Sequence, residues 1–137
     1  MLKELNLARN KKPLVYVLSS RSCADCREFM NSWTRIDRVT LASLTAQFLA
    51  VLALDDYVLE LGPALSPPNG DYLPRVFFAD PDGTLRLEVT NPGSDKSAPF
   101  YYSSAEEVVE AMRRFLKQHQ ADVGSGAYPA DLQQDIP

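Results

Sequence analysis

Ser22-Cys23-Ala24-Asp25-Cys26 holds both cysteines of the 137-residue chain, with two residues between them. The apolar run Leu14-Val15-Tyr16-Val17-Leu18 precedes it, and a stretch able to form a helix follows it. A strand that delivers a Cys-x-x-Cys pair to the start of a helix suits thiol–disulfide exchange. The first backbone N–H groups of a helix are unpaired and the macrodipole there is positive, so a thiolate at that point is stabilised. One turn later a second sulfur can reach the first. Cys23 is therefore the candidate attacking thiol and Cys26 the candidate resolving thiol. Arg21 and Arg27 flank the pair and favour a thiolate, whereas Asp25 opposes it. These three are candidate pKa-tuning residues.

Other uses of the two cysteines fit less well. A structural zinc site needs four ligands, and the one further soft candidate, His119, stands far along the chain in a polar segment. It reads as a solvated residue near a helix end. No metal and no cofactor is expected. A purely structural disulfide over so short a loop constrains the unfolded chain little.

The length suits one domain with a real core, over residues 1–120, followed by a flexible tail over 121–137. The formal net charge of −4 argues against a nucleic-acid partner. No apolar run approaches the roughly 20 residues of a membrane span, so no membrane partner is expected. Met1 to Lys12 is charged and amphipathic and lacks the apolar centre of a signal peptide.

Working outward from the cysteines, Leu2, Leu5 and Leu7 predict a short N-terminal helix ended by Pro13. Leu14 to Leu18 is apolar throughout and predicts a central strand. Phe29, Met30, Trp33 and Ile36 form one buried stripe of the following helix, and a break is expected near Asp37 to Thr40. Phe48 to Leu54 reads as a second central strand. Strand, helix and strand at this length make a βαβ unit with parallel strands. Asp55-Asp56 read as a turn or cap in preference to an aid to proton transfer near the thiols, Tyr57 to Leu61 as a short helical turn, and Gly62 to Asp71 as a loop.

Tyr72-Leu73-Pro74-Arg75-Val76-Phe77-Phe78 is the second informative stretch. Proline cannot donate to a ladder, so Pro74 belongs at the first residue of a strand. Its place at the end of a long loop makes it a candidate for a cis bond. Asp80-Pro81-Asp82-Gly83 signals a turn, and Leu85, Leu87 and Val89 alternate with Arg86 and Glu88, which predicts the second arm of a hairpin. Phe100-Tyr101-Tyr102 is read as an aromatic patch packing its loop on the core. Ser103 and Ser104 each precede a glutamate by three residues, which offers two capping boxes for a last helix. That helix is expected to run to about Gln118, with Val108, Val109, Met112, Phe115 and Leu116 inside.

These readings assemble into an α/β fold with a central mixed sheet of about four strands, flanked by helices on both faces. Together the Cys-x-x-Cys helix and the Pro-led strand resemble the thioredoxin superfamily. The nearer resemblance is to the small endoplasmic-reticulum thioredoxin-domain proteins that include the anterior gradient group. It is carried by Lys12-Pro13-Leu14-Val15, by Ser66-Pro67, by Gly70 through Gly83 and by Ser104 through Val109. It covers roughly Leu2 to Lys117.

The resemblance implies that Cys23 is the nucleophile, that Cys26 resolves, and that Pro74 is a cis-proline facing the sulfurs. Leu73 and Pro74 would then bind substrate, the Leu73 backbone pairing with an incoming extended chain. Three features depart from the pattern. Ser22 replaces the usual aromatic residue before the first cysteine. The first strand lacks thioredoxin's buried carboxylate, so removal of the Cys26 proton needs another group or water. The final residues, Gln134-Asp135-Ile136-Pro137, are not a retention signal of the Lys-Asp-Glu-Leu type. An endoplasmic-reticulum lumen location is implied by the resemblance alone, with a cytoplasmic location as the alternative.

The function expected is a thiol–disulfide oxidoreductase acting on protein substrates. Its partners would be client proteins bearing thiols or disulfides, with glutathione or a cellular reductase or oxidase to recycle it. The alternative is a protein-binding, chaperone-like module with little or no redox activity. A cytosolic thiol sensor is a third reading.

Overall fold

The computed structural model describes residues 12–55, Leu65 and residues 72–124, the last five as backbone. The expected N-terminal helix, the turn at Tyr57 to Leu61 and most of the loop from Gly62 to Asp71 lie outside the described residues. So does the tail beyond Gly124.

Three strands form one mixed sheet, β1 (Leu14–Ser19), β2 (Leu49–Leu54) and β3 (Arg75–Ala79), in the order β2-β1-β3. Strand β1 pairs in parallel with β2, Leu14 opposite Leu49, and antiparallel with β3, Leu14 opposite Ala79. The parallel pair follows from the crossover between them. That crossover holds α1 (Ala24–Ser32), a 3₁₀ turn (Trp33–Arg35) and α2 (Arg38–Thr45). The break falls at Ile36 and Asp37. Ile36 is extended, and the Asp37 carboxylate accepts the Thr40 amide at 3.0 Å to start α2. This is an ordinary aspartate N-cap.

Two expectations about the sheet are corrected. Strand β2 is not central: among the described residues it pairs only with β1, and Leu52 is half exposed at 53%. An apolar run announces burial but not the number of neighbours a strand has. Nor does Leu85 to Val89 form a fourth strand. The turn closes as expected, with Gly83 at φ 91° and its amide on Asp80 O at 2.8 Å. The ladder then lasts for one bridge, Ala79 with Leu85. The chain next curls into a turn, the Val89 amide bonding Arg86 O at 3.1 Å. The Arg86 guanidinium is held between Asp80 and Glu88, at 3.0 and 2.7 Å. The Arg86 amide still reaches the Phe78 carbonyl of β3 at 2.8 Å.

The last helix, α3 (Ala105–Gly124), runs beyond the expected end near Gln118. His119 is therefore inside the helix and not at its solvated end. It is only 2% exposed and stacks on Phe115 one turn before it, ring centroids 5.8 Å apart. The expected capping is present in one of its two registers. The Ser104 hydroxyl accepts the Glu107 amide at 3.4 Å, and Glu107 reaches back to the Ser103 amide at 2.7 Å.

The three helices among the described residues pack on one face of the sheet. Phe29 of α1, Leu44 of α2 and Val108, Met112 and Phe115 of α3 meet Val15, Val76 and Phe78 there. Phe78 lies between Phe48 and Phe115, with centroids 5.9 and 5.3 Å away. On the other face Leu14, Tyr16, Leu18 and Phe77 are covered by Leu65, Leu73, Leu85 and Phe100. Phe100 stacks on Phe77 at 4.7 Å. Burying whole Phe and Leu side chains contributes about 1.5–3 kcal/mol each, so both layers press on the strand that leads to Cys23.

Candidate functional site

Strand β1 ends at Ser19, and four residues later Cys23 caps α1. Its backbone is extended, φ −94° and ψ 129°, and its sulfur accepts the Cys26 amide at 3.1 Å. A cysteine thus does the work usually done by Ser or Asp at this position. Cys23 is half-buried and Cys26 fully buried, and both thiols are reduced. The Cys23 thiol also faces the Leu73 carbonyl at 3.9 Å. The peptide bond that follows, Leu73–Pro74, is cis, and Pro74 leads directly into β3. The two stretches singled out in the sequence therefore meet at the Cys23 sulfur.

The Cys26 thiol is pushed up to about 11, first by burial and then by its hydrogen bond with Cys23. The Ser19 side chain and the Ser20 backbone act in the opposite direction. The flanking charges sit elsewhere. Arg21 is 78% exposed and pairs with Asp55 at 3.3 Å. Arg27 is exposed and, with Ser20, Arg21 and Met30, lines a shallow cleft beside α1. Asp25 is exposed in the first turn of α1, and its charge acts on the Tyr101 phenol.

Three contributors to the site were not among the site residues expected from sequence. The first is Asp55. It sits at φ 55°, beyond the end of β2, and its carboxylate accepts the Ser20 hydroxyl at 2.8 Å and the Arg21 amide at 3.2 Å. Those bonds and the Arg21 charge hold its carboxyl below the usual range. It fixes the turn that carries the cysteines, in keeping with the turn role expected of it. The second is Tyr101, which was placed in a packing loop. Phe100 and Tyr102 do pack. Tyr101 instead bridges Arg75, the residue after Pro74, and meets the Tyr72 ring edge-on at 6.3 Å. Its phenol is raised by burial, then by Asp25 and the two thiols. The third is Ser19, whose buried hydroxyl lies against Cys26.

No family model matches the chain. It is 20% identical over 120 residues to anterior gradient protein 3 of Mus musculus, covering 84% of this chain and 67% of that protein. It is 24% identical over 119 residues to anterior gradient protein 3 of Xenopus tropicalis, covering 86% and 69%. The chain resembles the anterior gradient proteins. The resemblance spans both the Cys-x-x-Cys helix and the Pro74 strand, and the mixed sheet with its flanking helices is consistent with a thioredoxin-like fold.

Proposed function

We propose that the protein is a thiol–disulfide oxidoreductase for protein clients. One observation carries this reading: a half-exposed Cys23 sulfur that accepts a helix N-terminal amide and faces the Leu73 carbonyl, with a buried Cys26 one turn behind it. A client disulfide can reach Cys23 and not Cys26, which orders the roles. Cys23 attacks a client sulfur and forms a mixed disulfide. Cys26 then attacks Cys23, and the client leaves. The Leu73 backbone and Pro74 form the lip on which an extended client segment lies. The likeness to the anterior gradient proteins supports an endoplasmic-reticulum lumen location. Trapping tests the assignment. Cys26→Ser should accumulate mixed disulfides with clients or glutathione, and Cys23→Ser should not. Equal trapping by both variants would reverse or abolish the order.

A protein-binding module with little or no redox activity is the second reading, and the buried Cys26 thiol, pushed up to about 11, favours it because a sulfur reluctant to ionise is a poor exchange group. Client protection that survives replacement of both cysteines would establish it in place of the first.

A further inference from the structure

We propose that the Ser19 hydroxyl serves the resolving thiol, donating a hydrogen bond to Cys26 Sγ as that sulfur ionises. This rests on the exchange reading above and deepens it by naming the polar group that stands in for a carboxylate on the first strand. Tyr16, Val17 and Leu18 supply none. Ser19 ends β1 and is fully buried. Its carbonyl accepts the Asp55 amide at 3.1 Å, but its hydroxyl has no hydrogen-bond partner in the structure. Burying a hydroxyl unpaired is unfavourable. The neighbour able to satisfy it is Cys26, equally buried, and it becomes a strong acceptor only as a thiolate.

The reaction needs that donor at one moment. In the mixed disulfide Cys23 is bonded to a client sulfur. The Cys26 thiol loses its proton to solvent, and its sulfur attacks Cys23 Sγ. The Cys23–Cys26 bond forms as the Cys23–client bond breaks. The client sulfur leaves with the electron pair and takes up a proton. The cysteine pair is oxidised and the client reduced, with no outside reductant. Ser19 takes no proton. It holds the developing charge on Cys26 until the new bond forms, assisted by the Ser20 backbone. The titratable groups that face Cys26 are Cys23 from its own turn and Tyr101 from the segment before α3. Cys23 disfavours the Cys26 anion, and the charge on Cys26 in turn raises the Tyr101 phenol. Asp55 is directed to Ser20 and Arg21, and Asp25 to Tyr101.

The test reads Cys26 ionisation directly, by NMR titration of a ¹³Cβ-labelled Cys26 in the full chain carrying Cys23→Ala. Ser19→Ala should raise the midpoint by about one pH unit, a tenfold loss of thiolate at fixed pH, as expected for a lost hydrogen bond to a charged group. Ser19→Thr should keep the original midpoint. The denaturation midpoint of Ser19→Ala should be unchanged or higher, since the hydroxyl it removes is unpaired. Should Ser19→Ala fail to fold, Thr and Val form an isosteric pair that differs only in the hydroxyl, and Val alone should show the shift. Superimposable titrations of the variants with and without the hydroxyl would overturn the proposal. No turnover is involved, so a chain without any exchange activity would still show the shift, and the two readings fail separately.

Discussion

The Ser32 hydroxyl, 1% exposed at the end of α1, accepts the Ala105 amide at the start of α3 at 2.6 Å. The same hydroxyl donates to the Phe29 carbonyl. One oxygen thus closes the C-terminal end of the cysteine-bearing helix and supplies a cap to the last helix. Ser32→Ala leaves a buried N–H unpaired, and a group stranded in this way costs about 1–3 kcal/mol. A urea denaturation series should show a loss of that size with an unchanged slope. A loss below a few tenths of a kcal/mol would mean that the two helices are joined by apolar packing alone.

Asp55 makes a different join, from β2 to the turn before Cys23. Its carboxyl is held below the ordinary value by Ser20, the Arg21 amide and the Arg21 charge. A depressed carboxyl stabilises the fold above its unfolded pKa, and that contribution is lost as pH falls through the folded value. Asp55→Asn should therefore be less stable than the parent at pH 7 and indistinguishable from it once the parent's carboxyl is protonated in acid. Asp55→Ala should be worse than Asn at every pH, because φ 55° is a conformation Asn adopts more readily than Ala. Parallel stability curves for Asp55→Asn and the parent would show that the charge contributes nothing.

How far the sequence revealed this arrangement depended on the range of the interactions. The parallel β1–β2 pair, the break before Asp37 and the turn at Gly83 were legible because local pattern and spacing govern them. The single pairing of β2 among the described residues was not, since Leu49 to Leu54 would read the same with one neighbour or two. Leu85 to Val89 alternates as a strand should, yet the ladder ends after one bridge and the chain closes a turn from Arg86 to Val89. His119 looked solvated because the polar residues around it concealed a helix that continues to Gly124. Within the site, the two cysteines and a cis bond at Pro74 were legible from motif and position, and Leu73 only through the resemblance to thioredoxin-like proteins. Tyr101 was not, because only its bridge to Arg75 brings it beside the thiols. Ser19 carried no signal beyond its place at the end of an apolar run.

Tyr101 offers a direct check on the charge distribution beside Cys23. Its phenol is raised first by burial and next by the Asp25 carboxylate. Asp25→Asn removes the second influence and leaves the first. The Tyr101 ionisation, followed by NMR at the ring Cζ, should move down but stay above its ordinary value. An unmoved titration would mean that Asp25 faces solvent, which would return it to the thiols as the tuning charge first expected.

The raised Cys26 thiol makes the resolution step pH-dependent in a predictable sense. At neutral pH almost all of Cys26 is the unreactive thiol, pushed up to about 11 by burial and by Cys23. The rate at which a preformed Cys23–glutathione mixed disulfide releases glutathione should therefore climb about tenfold per pH unit from pH 7, in step with the thiolate fraction. The climb should level off below pH 11. Cys23 is already bonded to sulfur in that species, so its hydrogen bond and charge no longer oppose ionisation of Cys26. The position of the plateau then separates the two influences, because burial opposes ionisation in both species and Cys23 opposes it only in the dithiol. Stopped-flow release monitored between pH 6 and 10.5 gives the profile. A rate that is flat across neutral pH would show that Cys26 is ionised well below its ordinary value, and that something in the mixed disulfide outweighs the burial of its sulfur.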